Sequence, residues 1–203
     1  MDYFYSIEDD RRIEIKIRRS TFICSLKYVE TILETKEFIS SISSEHKMAT
    51  HNCWAYIVGD KGQTSHSSDN GEPAGTAGKP MLNALQSHEM TNIAAVVTRY
   101  YGGVKLGVRG LIDAYGEAVT SAIELLPLKK LVKVNRYSID LPYSFNDTLL
   151  HHLQNFQVRV TDTQYSDIIS HNIEVEEEHC PDVELMLTQY QDSGILTFSN
   201  KNL

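Results

Sequence analysis

Ile13, Ile15 and Ile17 alternate with Glu14 and Lys16, the period-two pattern of a half-buried strand. A second strand is predicted over Phe22 to Leu26. From Thr31 to Glu45 the spacing changes: Ile32, Leu33, Phe38, Ile39 and Ile42 recur with helical period and predict an amphipathic helix. Cys53 to Val58 is a short apolar run closed by Gly59-Asp60 and predicts a buried strand. A polar loop is expected from Asp60 to Lys79. A helix should start at Pro80, where a missing N–H costs nothing, and run to about Glu89. Ile93 to Arg99 is the clearest core strand. Leu111 to Leu126 predicts a helix that Pro127 ends, and residues 129–134 a last strand leading into a second domain.

The tail carries its own order. Strands are predicted at Tyr137 to Leu141, Gln157 to Tyr165, Ile168 to Val175 and Ile195 to Phe198. Helices are predicted at Phe145 to Phe156 and, started by Pro181, at Asp182 to Tyr190. The order βαββαβ is the ferredoxin-like arrangement. The expected architecture is therefore α+β in two domains, residues 1–134 and 135–203, a division that 203 residues accommodate.

Ten of the eleven glycines lie between Gly59 and Gly116. Glycine admits φ > 0 and close backbone approach at an entropic cost, so this concentration predicts an unusual backbone surface. It falls in two clusters. In Ser68-Asp69-Asn70-Gly71-Glu72-Pro73-Ala74-Gly75-Thr76-Ala77-Gly78, turn chemistry dominates, and Asp69 and Glu72 have little reason to be buried. The second cluster, Arg99 to Gly110, lies between the core strand and a helix. Strand, glycine-rich turn and helix N-terminus together make an anion site from backbone N–H groups and helix dipole. Arg99, Lys105 and Arg109 add charged donors, and Tyr100-Tyr101 a surface for a base or a peptide. The candidate binding residues are Asp69, Gly71, Glu72, Arg99, Tyr100, Tyr101, Gly102, Gly103, Lys105, Gly107 and Arg109. The competing reading is that the glycines only let the helix pack closely on the sheet. Neither a dinucleotide fingerprint nor a P-loop is present.

Charge narrows the partners. Residues 1–134 hold 16 basic and 16 acidic side chains, whereas 135–203 hold 3 and 11, so the net −8 sits in the last third. That is a poor match to a phosphate backbone and a better one to a basic protein surface, or simply a soluble acidic face. The N-terminal stretch is acidic where a signal peptide needs basic residues, and no run is long and apolar enough to span a membrane. A cytoplasmic protein with no membrane partner is expected. Cys24, Cys53 and Cys180 are odd in number and widely spaced, which predicts reduced structural thiols.

Catalytic and metal constellations are weak. His51 and Cys53 share a strand face but no C-x₂-C or H-x₃-H spacing completes a metal site. Ser68, His66 and Asp69 sit on one loop without a nucleophile elbow. Asp69 and Glu72 as an acid/base pair would need burial, against which a turn-rich loop argues. No cofactor is expected.

Arg99-Tyr100-Tyr101-Gly102-Gly103 with Leu106-Gly107, preceded by Asp69, Gly71-Glu72-Pro73 and Gly75-Thr76-Ala77-Gly78, resembles the signature of the IMPACT/YigZ family. Met81, Leu82, Leu85, Met90, Val96 and Val97 stand where that signature has aliphatics, and His51-x-Cys53-x-Ala55 resembles its start. The resemblance covers almost all of the first domain, and the βαββαβ tail matches the second domain of bacterial members. One position departs: the family continues Leu-Gly-x-Gly-Gly-Leu, and Arg109 stands in place of a glycine. A glycine needed there for φ > 0 would leave Arg109 strained; one needed for close approach would leave the site altered.

The resemblance implies a first domain like domain 2 of ribosomal protein S5 and a second like the ferredoxin-like domains of elongation factor G. It also implies kinship with eukaryotic regulators of translation-linked stress signalling that bind ribosome-associated proteins. The expected function is a non-catalytic regulator that meets a ribosome-associated protein or the ribosome through residues 68–110. The alternatives are an RNA-binding module and an enzyme acting on a phosphorylated small molecule.

Overall fold

The computed structural model describes residues 4–201; Met1 to Tyr3, part of the acidic N-terminal stretch, lie outside the described residues. The chain divides into two compact units, one ending at Leu131 and one starting at Val132. Among the described residues no helix is long and apolar enough to cross a membrane.

The first unit is built on a five-stranded antiparallel sheet. Its strands are β2 (Arg11–Ile17), β3 (Ser20–Tyr28), β4 (His51–Val58), β5 (Thr64–Ser68) and β6 (Ile93–Tyr100), in the order β2-β3-β6-β4-β5. Two helices, α2 (Gly78–Ser87) and α3 (Gly107–Glu124), pack on one face, and α1 (Ile32–Glu45) on the other. A short ribbon pairs β1 (Phe4–Ser6) with β7 (Lys129–Leu131).

Central β6 is buried on both faces. Ile93, Ala95 and Val97 enter the larger core with Met81, Leu85, Leu111, Ala118 and Val119, while Ala94 enters a smaller one with Val29, Tyr56 and Val58 beneath α1. This is the alternation expected of a strand. Thr31 caps α1 through its hydroxyl. Buried Arg11 closes α3 at its other end, donating to the carbonyls of Ile123 and Pro127. The Ile123 carbonyl lies in the last turn of α3, where carbonyls have no partner within the helix, and Pro127 follows just beyond it.

Two strands differ from expectation. The predicted polar loop contains β5, whose Thr, Ser and His side chains show no apolar alternation. An edge strand needs only one ladder, and β4 supplies it. Residues 129–134 split, because β7 stops at Leu131 to pair with β1 and β8 starts at Val134.

The second unit runs β8 (Val134–Leu141), α4 (Asn146–Leu153), β9 (Arg159–Tyr165), β10 (Ile169–Glu176), α5 (Cys180–Asp192) and β11 (Thr197–Asn200). Its antiparallel sheet has the order β11-β8-β10-β9, so the βαββαβ element order is realised. Tyr137, Ile139 and Leu141 of β8 join Ile169, Ile173 and Val175 of β10 under Leu149, Leu153, Val183 and Leu187 of the helices.

Candidate functional site

The site begins with register. On β3, β6 and β4, Phe22 lies opposite Arg99 and Arg99 opposite His51, a row of three across the sheet on the α2/α3 side. Arg99 follows Ile93, Ala95 and Val97 on that face, so alternation carries a guanidinium to the end of the larger core. It is buried there. Its Cζ lies 5.4 Å from the Phe22 ring centroid and 5.4 Å from that of Tyr101, within range of a cation–π contact with both.

The segment between β5 and α2 supplies the counter-charge. Glu72 has a side chain only 4 % exposed, and its Oε1 accepts from Arg99 Nη1 at 2.5 Å and from the Tyr115 hydroxyl at 2.9 Å. Its Oε2 lies 3.8 Å from His51 Nε2. His51 Nδ1 faces the Asn70 carbonyl at 2.9 Å, so Nδ1 carries a hydrogen and donates to it. The expectation that Glu72 has no reason to be buried is thus corrected, because a turn-rich segment folds inward to neutralise a buried arginine. The Arg99 guanidinium is engaged by Glu72 through Nη1 and by Ser20 Oγ through Nη2, while its Nε is buried without a partner.

Asp69 acts differently. Its Oδ1 accepts from the amides of Ala77 (3.0 Å) and Gly78 (2.8 Å), and its Oδ2 from Gly75 (2.8 Å). It therefore caps α2 from eight residues upstream of Ala77, which has no capping side chain of its own. Gly78 is required there, because a Cβ would fall 2.7 Å from the Ser68 nitrogen. Partial burial pushes the Asp69 carboxyl up, but the three amides outweigh it and hold the group below the usual carboxylate range. A depressed native value means that this stabilisation is complete above the unfolded carboxyl's pKa, about 3.9, and is lost as the pH falls through the folded value. Asp69→Ala should cost about 1–2 kcal/mol, and Asp69→Asn should shrink this acid-side loss. Unfolding midpoints between neutral and acid pH check both.

Above the Arg99–Glu72 floor lies an open cleft of about 470 Å³. Thr50, His51, Pro73 and Tyr101 line one part of it, and Lys105, Leu106, Gly107, Val108 and Leu111 the rest. That volume falls within the range of small-ligand sites. The loop from Tyr101 to Leu106 is shorter than predicted, because α3 starts at Gly107 rather than Leu111. Arg109 therefore lies in the first turn of α3, exposed, and is not among the residues with positive φ. The strain that its replacement of a glycine would bring does not arise. Gly103 (φ +83°) and Gly107 (φ +76°) do take the left-handed conformation, with no atom within 4 Å of where a Cβ would stand. Gly71 (φ +85°) backs onto His51, and Gly102 is pressed against the Arg19 carbonyl. The α3 N-terminus has neither a side-chain cap nor an acidic residue in its first turn, so the positive end of its dipole is uncompensated.

Of the predicted binding residues, Glu72, Arg99, Tyr101, Lys105 and Gly107 line the cleft. Asp69, Gly71 and Gly102 hold its walls. Tyr100 does not take part: alternation turns it to the α1 side, where its hydroxyl meets His46 Nδ1 at 2.9 Å. The expected Tyr100-Tyr101 stacking surface is therefore a single ring, Tyr101, 44 % exposed. Sequence reasoning missed Tyr115, Phe22, Ser20 and Thr50. The first two were legible only as core aromatics, although strand alternation could have put Phe22 beside Arg99. Ser20 Oγ accepts from Arg99 Nη2 (3.4 Å) and the Gly102 amide (3.3 Å), and Thr50 Oγ1 from the Tyr101 amide (3.1 Å). Cys53 donates to the Asp69 carbonyl, and burial pushes its thiol up to about 12, far from nucleophilic range.

The profile of the Impact N-terminal domain matches residues 18–123, which include every residue of the cleft. The chain belongs to the IMPACT family. It is 37 % identical over 177 residues to the IMPACT family member YvyE of Bacillus subtilis, covering 86 % of this chain and 81 % of that one. It is 41 % identical over 130 residues to YigZ of Escherichia coli, covering 63 % and 64 %. A crystal structure of a hypothetical protein superposes over 98 % of this chain and 97 % of its own, with a TM-score of 0.63 at 30 % identity. The two-unit α+β architecture thus extends through this IMPACT-family chain and that neighbour alike.

Proposed function

We propose that this IMPACT-family chain is a non-catalytic binding protein of the translation apparatus, and that it meets a ribosome-associated protein or the ribosome through the surface of residues 68–110. The observation that carries the binding reading is the cleft itself. It is lined by open backbone at Gly107 beside an uncapped helix N-terminus, with the open backbone of Gly103 in the loop just before it. The ionisable groups of its floor are spent on one another: Glu72 is held by Arg99 and Tyr115, and the Cys53 thiol is raised by burial. Such a floor supports shape and rigidity rather than turnover. The link to translation comes from membership of the IMPACT family. An RNA-binding role is less well supported, since Tyr100 is turned away and the chain carries a net charge of −8.

The test is co-sedimentation with ribosomes from the source cell, with and without starvation. Enrichment of the chain in the ribosomal pellet is expected, together with its loss in a Gly103→Glu, Gly107→Glu variant. No enrichment of the wild type in either condition would overturn the reading.

A further inference from the structure

The fold brings a second segment to the cleft that sequence spacing does not. The turn between β2 and β3 carries Arg18 and Arg19, both exposed. Arg18 Nη1 donates to the Lys105 carbonyl at 3.0 Å. The Arg19 carbonyl abuts Gly102 so closely that a Cβ there would fall 1.6 Å from it. The turn is thereby locked against the loop between β6 and α3. Lys105 lies in that loop, and Arg109 follows in the first turn of α3; both are exposed. Arg18 meets Lys105, which lines the cleft, while Arg19 is its chain neighbour and Arg109 lies in the first turn of α3, so four cations from two distant stretches stand near the α3 N-terminus, where the dipole is uncompensated. Among the described residues, none of the four is in an ion pair. In a chain of net charge −8, such a local concentration of positive charge marks a surface for an anionic partner.

Next to the charge the cleft is aliphatic. Pro73, Leu106, Val108 and Leu111 line it, and Val108 is 62 % exposed. A phosphodiester strand would leave these side chains uncovered and would find one aromatic ring to stack on. We infer that the cleft docks an acidic peptide segment with an aliphatic anchor: its carboxylates lie over Arg18, Arg19, Lys105, Arg109 and the first amides of α3, and one aliphatic side chain enters the slot beside Pro73 and Val108. This rests on the binding reading proposed above and names the chemistry of the partner. Apolar pocket and charged rim divide affinity and specificity as in other peptide grooves.

Fluorescence anisotropy of the full chain tests it with three labelled probes: a peptide alternating glutamate with leucine, the same peptide with serine for leucine, and an oligouridine. The glutamate–leucine peptide should bind, weakening steeply with added salt. The serine peptide should bind about tenfold more weakly, and the Lys105→Glu, Arg109→Glu variant should lose at least about tenfold for the leucine peptide. Arg18→Glu, on the separate turn, should weaken binding in the same direction. Absence of peptide binding at low salt, indifference to charge reversal in both variants, or tighter binding of oligouridine would each overturn the inference. If ribosome co-sedimentation is retained by the Lys105→Glu, Arg109→Glu variant, this inference fails and the translation reading stands. If the wild type binds the peptide but never the ribosome, the reverse holds.

Discussion

Glu72→Ala should destabilise the first unit by about 3–5 kcal/mol, the range for breaking a buried ion pair from one side. The substitution removes the acceptor for both Arg99 Nη1 and the Tyr115 hydroxyl, and the guanidinium then stays buried between Phe22 and Tyr101 without a counter-charge. Glu72→Gln should cost less, because an amide oxygen can still accept from Tyr115 while the charge is lost. Trp54, the single tryptophan, lies in β4, so its fluorescence follows this unit in a urea titration. A loss below about 1 kcal/mol for the alanine variant would put Glu72 in the class of exposed pairs and remove the floor from the site.

The second large effect belongs to Gly102. A Cβ at this position would stand 1.6 Å from the Arg19 oxygen and 2.0 Å from its carbon, both backbone atoms that cannot rotate away. Gly102→Ala should therefore push the β2–β3 turn off the β6–α3 loop and cost about 3 kcal/mol or more, at the upper end of overpacking. Gly103→Ala makes the contrast. Nothing lies within 4 Å of its Cβ position, so its cost is the left-handed backbone alone, about 1–2 kcal/mol. Urea unfolding followed through Trp54 ranks the two. The opposite ranking would mean that the turn is free to move and that the cation cluster it carries is not held in place.

Much of the fold was legible. Strand β2 and helix α1 announce themselves through apolar period, β4 and β6 through short apolar runs, helix α3 by the proline that ends it, and the βαββαβ tail through element order alone. Strand β5 was not legible, because Thr64 to Ser68 shows no alternation and its pairing is granted by the neighbouring edge. The start of α2 was misplaced for a similar reason, since its cap, Asp69, is remote. The glycine-rich segments that line the cleft were legible, but the burial of Glu72 and its pairing with Arg99 were not. Glu72 looked like a loop acid and Arg99 like a free ligand, Tyr115 was legible only as a core aromatic, and Arg18, Arg19 and Thr50 carried no local signal.

By itself the sequence determined the family, the two-part α+β division and the concentration of glycine where the cleft forms, because period, turn chemistry and motif spacing are properties of neighbouring residues. Only the tertiary structure decided that Arg99 is neutralised by Glu72, that Tyr100 and Tyr101 part company, and that Arg18 reaches Lys105. Charge balance and burial depend on what lies across the sheet, and strand register, not chain distance, sets which side chains meet there.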